Sequence, residues 1–70
     1  LGAAERCARR LIELDPLSET GYRLLMSAHA MQGDVAAALV IYERLRTVLR
    51  DELGVPPGPR VQELLGSLLR

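Results

Sequence analysis

Two residues, Gly33-Asp34, separate one long apolar-periodic segment from the next, and this short break constrains the fold more than any other feature of the chain. Glycine supplies the left-handed residue that closes a helix, and aspartate caps the following one by accepting a hydrogen bond from a free N–H of its first turn. A connection this short leaves room only for an antiparallel helical hairpin. The upstream segment predicts a helix over about 16–32 with two apolar stripes, Tyr22, Leu25, Met26 and His29 on one side and Leu24, Ala28 and Met31 on another, so neighbours are expected to cover it from two directions. The downstream segment predicts a helix over about 35–53 that buries Ala38, Leu39, Tyr42, Leu45, Leu49 and Leu53 and keeps Arg44, Arg46 and Arg50 outside.

A further helix is expected on each side of this hairpin. Residues 2–14 place Ala4, Ala8, Leu11 and Ile12 on one face, and Asp15-Pro16 ends that helix, since proline disfavours helical geometry in the residue before it. Asp15 then caps the second helix with Pro16 at its first position. Gly54 closes the third helix, Val55-Pro56-Pro57-Gly58 cannot continue it, and Pro59 opens a fourth over 59–69. Val61, Leu64, Leu65, Leu68 and Leu69 give that segment the complete i, i+3, i+4, i+7, i+8 pattern of a packed amphipathic helix. The fold class is therefore all-α, built from four helices.

Seventy residues allow one small core, burying about 60% of the surface that the unfolded chain exposes. A single cysteine excludes an internal disulfide framework and a cysteine-based zinc knuckle. Nine arginines balance nine acids, so net charge draws the chain neither to nucleic acid nor to an anionic membrane. No apolar run approaches the roughly 20 residues that span a bilayer, and no signal peptide precedes the first helix, so a soluble cytoplasmic protein is expected. The chain begins at Leu1 within a helical pattern, which reads as a fragment of something longer.

The reactive side chains read as structural. His29 has no Cys, Asp or Glu at ligand spacing and is expected to be a partly buried ring with one satisfied nitrogen. Cys7 is flanked by Arg6 and Arg10, a setting for redox sensitivity, but it lacks a resolving partner and is expected to pack. Acids interleave with Arg44, Arg46 and Arg50, and no aromatic residue stands ready to stack on bases, which favours a solvated or partner-facing helix over a phosphate-binding one. Gly54 and Gly58 carry no phosphate-loop signature. The polar groups form no nucleophile–base or paired-carboxylate arrangement, so neither an enzyme nor a cofactor or metal site is expected.

Helical hairpins in series invite a search for repeats, and one appears at an offset of 34 residues, with Ala4, Ala8 and Leu11 falling on Ala38, Tyr42 and Leu45. Tyr22, Leu25, Ala38 and Tyr42 resemble the W-x2-L and A-x3-F positions of the tetratricopeptide signature. Met26, His29 and Arg50 depart from its Gly, Tyr and Pro, and Leu65-Gly66 repeats Leu25-Met26 at an offset of 40, so about six extra residues lie in the third helix and its loop. Tyr22, Leu25, Gly33, Ala38, Tyr42 and Gly54 are the structural positions of the repeat. By this resemblance the hairpins stack as a right-handed superhelix whose concave face takes a partner. Arg23, Ser27 and Gln32 on the second helix and Arg44 on the third are the candidate contacts.

Asp15-Pro16-Leu17, Leu24-Leu25-Met26, Gly33-Asp34, Ala38-Leu39, Tyr42 and, most specifically, Glu52-Leu53-Gly54-Val55 followed by Pro57 or Pro59 resemble the bacterial transcriptional activator domain of actinomycete antibiotic-pathway regulators. The arginine-only basic content, a mark of GC-rich genomes, is in keeping with such a source. The resemblance implies that residues 1–70 are the C-terminal part of a helical activator domain, next to a DNA-binding domain outside this chain. It also implies protein partners: another copy of itself, possible as a homodimer, its own DNA-binding domain, or RNA polymerase. DNA would be reached only through the other domain, and no membrane is involved. The rival readings are a tetratricopeptide-like scaffold unrelated to transcription and a helical-repeat reader of RNA.

Overall fold

The computed structural model describes residues 2–70; Leu1, where the predicted domain begins, lies outside the described residues. Four helices follow one another, α1 (Gly2–Leu14), α2 (Glu19–Met31), α3 (Val35–Leu53) and α4 (Pro59–Leu68), and no strand occurs among the described residues. The Cα positions extend over 31 × 29 × 16 Å, the thickness of two helix layers. The central element is α2, which packs against all three others, with α4 also touching α3. This is the all-α, tetratricopeptide-like arrangement of hairpins.

At the α2–α3 turn, Gly33 has a φ of 78°. Its N–H donates to the Ala30 carbonyl at 3.0 Å and the Asp34 N–H donates to the His29 carbonyl at 2.9 Å, the two bonds of a Schellman closure. The Asp34 carboxylate accepts from the Ala37 N–H at 3.0 Å and caps α3. Gly54, with a φ of 68°, ends α3 by donating to the Arg50 carbonyl at 3.0 Å, and Pro59 stands in the first turn of α4.

The start of α2 corrects the expectation of a helix from residue 16. Asp15 caps a turn instead of a helix: its carboxylate accepts from the Leu17 N–H at 3.2 Å and its carbonyl from the Ser18 N–H at 3.0 Å. Those bonds hold residues 15–18 in a turn with Pro16 at its second position, and the helix begins at Glu19 after an extended Ser18.

The core joins Ala8 of α1, Tyr22, Leu25 and Met26 of α2, Ala38, Ile41, Leu45 and Leu49 of α3, and Val61 of α4, with Ile12, Tyr42, Val48, Leu64 and Leu68 packed against it. Several predicted core positions are corrected. In α1, Ala4 and Leu11 are exposed, and so is Cys7, because α2 meets α1 along Ala8 and Ile12. The second stripe of α2 is covered only at Ala28; Leu24 and Met31 are 43% and 75% exposed. In α3, Ile41 takes the buried place, Leu39 and Tyr42 are half-buried, and Leu53 is exposed. In α4 the apolar pattern ends with Leu69 in solvent. His29 is half-buried, and its ring makes no hydrogen bond among the described residues.

One close approach escapes the hydrophobic pattern. Gly21 is buried inside α2, where a Cβ would come within 2.9 Å of Ile12 Cγ1 and 3.2 Å of the Ile12 backbone nitrogen. Glycine there lets α1 and α2 pack backbone to backbone. A glycine inside a helix costs about 1 kcal/mol against alanine, which is the one signal that flags such a position in a sequence.

Candidate functional site

Of the four candidate contact residues, the structure brings two together. Arg23 and Ser27, one turn apart on α2 and half-buried, line a groove whose opposite wall is Arg60, Glu63 and Leu64 of α4. The other two lie elsewhere. Gln32 is exposed at the C-cap of α2, and Arg44 borders a separate groove in which Arg9, Ile12 and Glu13 of α1 face Ile41 of α3 across Tyr22 and Leu25. Arg60 and Glu63 were not singled out by sequence, because their relation to Arg23 depends on where α4 docks.

Local interactions set the angle of that dock. The Glu19 carboxylate in the first turn of α2 accepts a hydrogen bond of 2.7 Å from the Gly58 N–H, at the N-cap of α4. Further along, Gln62 Nε2 donates to the Tyr42 hydroxyl at 3.3 Å. Tyr42 therefore joins α3 to α4 at the surface. Val61 is buried between these two contacts.

Within the groove, Arg23, Arg60 and Glu63 form no ion pair among the described residues, so their charges face solvent unspent. Four other arginines are engaged: Arg9 with Glu5 at 3.0 Å, Arg10 with Glu13 at 3.2 Å, Arg46 with Glu43 at 2.9 Å and Arg50 with Asp51 at 3.2 Å. Arg46 grips Glu43 through both Nε and a terminal nitrogen, and this hydrogen bonding holds the Glu43 carboxyl below its usual range. Pairs this exposed are screened by solvent and contribute little to stability. No group of three or more His, Cys, Asp or Glu residues is placed to hold a metal ion among the described residues, and no helix is long and apolar enough to cross a membrane.

The described residues thus form a small helical module with an open polar groove between α2 and α4. Comparison with known proteins gives the class: the family model described as the bacterial transcriptional activator domain matches residues 1–69, and the chain belongs to that family. It is 34% identical over 61 residues to the transcriptional regulatory protein MoaR1 of Mycobacterium tuberculosis, covering 87% of this chain and 20% of that protein. It is 46% identical over 55 residues to the regulatory protein AfsR of Streptomyces coelicolor, covering 79% of this chain and 6% of AfsR, and 44% identical over the same length to AfsR of Streptomyces griseus. The chain thus spans a fifth or less of these curated relatives. No solved structure gives a significant match. Family and relatives together place the chain in transcription regulation.

Proposed function

We propose that this chain is the protein-interaction part of a cytoplasmic bacterial transcriptional regulator, acting beside a DNA-binding domain outside the chain to mediate activation or dimerisation. The observation that carries the reading is the α2–α4 groove, where Arg23 and Arg60 stand without a partner of their own on opposite walls. Partner proteins are the class of ligand such a surface serves: another copy, the regulator's own DNA-binding domain, or RNA polymerase. Residues 1–70 act as the C-terminal part of a longer helical activator domain, a reading supported by the largely exposed apolar side chains of Leu14 and Met31.

The test is a reporter assay with the full-length regulator carrying Arg23→Glu and Arg60→Glu. Activation is expected to fall by about tenfold or more, the range for reversing two interface charges, while DNA binding measured by gel shift stays at the parent level. Unchanged activation would overturn the assignment of the groove.

A further inference from the structure

The outward face of α3 carries a second surface, independent of the α2–α4 groove. Outside its buried stripe the helix reads Leu39-Val40, two residues, Glu43-Arg44, two residues, Thr47-Val48. Helical spacing puts Leu39, Glu43 and Thr47 in one row and Val40, Arg44 and Val48 in the next, so the two rows bound a single shallow groove along the helix. Val40 is 53% exposed and Leu39 and Val48 are half-buried; no element other than α3 lines the groove among the described residues.

This pattern is self-complementary about the point between Glu43 and Arg44. A second helix related by a two-fold axis there runs antiparallel and sets Leu39 against Val48, Val40 against Thr47 and Glu43 against Arg44, each contact occurring twice, as an isologous interface requires. Rows of the i, i+4 type packing into each other's grooves cross at about −50°, the commonest helix-packing angle. Arg44 has no ion pair among the described residues, and Glu43 retains free lone pairs beside Arg46, so both are available to the second copy. Sliding the copy by seven residues, two helical turns, instead opposes Glu43 to Asp51 and Arg44 to Arg50, like charge to like.

We propose that a second copy of this chain docks antiparallel on this face of α3, with reciprocal Glu43–Arg44 pairs at its centre. Sedimentation velocity over a concentration series tests it, with circular dichroism to confirm helix content. The parent chain is expected to dimerise with rising concentration. Glu43→Arg and Arg44→Glu, each alone, place like charges at both central contacts and weaken self-association by about tenfold or more. An equimolar mixture of the two variants associates again, because the face with two cations meets the face with two anions. A parent chain that stays monomeric to about 1 mM, single variants that dimerise like the parent, or a mixture that stays monomeric would each overturn the proposal; the second outcome would transfer self-association to the exposed side chains of α1 and α2. Should either charge variant lose its helical signal, Val40→Gln carries the test, and undiminished dimerisation of that variant would count against the interface.

Discussion

The Glu19 carboxylate and the Gly58 amide, 39 residues apart in sequence, meet at 2.7 Å and join the N-terminal ends of α2 and α4. A single negative charge thus sits at the positive ends of two helix dipoles while satisfying a backbone donor that α4 itself leaves free. Charge-assisted hydrogen bonds of this kind contribute about 1.5–3 kcal/mol. Glu19→Ala is expected to destabilise the fold by about 1–2 kcal/mol, and Glu19→Gln, which keeps an acceptor and loses the charge, by less. Urea denaturation gives the stability change, and faster amide hydrogen exchange at Gly58 identifies the bond that was lost.

The six glycines are not interchangeable, and two of those inside helices respond in opposite directions. A methyl at Gly21 meets Ile12 Cγ1 at 2.9 Å and backbone at 3.2 Å, so Gly21→Ala forces α1 away from α2 and is expected to cost about 1–3 kcal/mol despite its helix-propensity gain. At Gly66 in α4 nothing lies within 4 Å, and Gly66→Ala is expected to stabilise by about 0.5–1 kcal/mol. Thermal melts of the two variants side by side should shift in opposite senses.

Local signals made the hairpin legible in advance. Gly33, Asp34, Gly54 and Pro59 act within four or five residues of themselves, so their chemistry can be read along the chain. The α2–α4 groove was not legible in this way: Arg23 faces Arg60 across it only because Glu19, Tyr42 and Gln62 fix where α4 lies. The buried face of α3 was obscured for another reason. Leu39, Val40, Ile41 and Tyr42 are four consecutive non-charged, largely apolar residues that wrap a full turn, and periodicity alone does not choose among them; the neighbours on α2 and α4 do.

The Asp34 cap gives a prediction confined to one turn. Its carboxylate holds the Ala37 amide at 3.0 Å in solvent, so Asp34→Ala leaves that donor to water and removes favourable charge from the start of α3. A loss of about 1 kcal/mol is expected, whereas Asp34→Ser, which retains a capping oxygen, should lose only part of that. Chemical denaturation of the parent and both variants checks the order.

The choice between Ile41 and Leu53 tests the core of α3 most directly. Both belong to an apolar helix, but Ile41 is 4% exposed among Tyr22, Leu25 and the α1 side of the core, while Leu53 is 56% exposed in the last turn before Gly54. Truncating a buried isoleucine removes its transfer free energy and leaves a cavity, so Ile41→Ala is expected to cost about 2–4 kcal/mol. A domain of this length has little stability beyond that, and the variant should be largely unfolded at 37 °C. Leu53→Ala should lie within about 0.5 kcal/mol of the parent. Equal losses in urea denaturation would mean that the C-terminal turn of α3 is packed in solution, and would move Leu53 into the core.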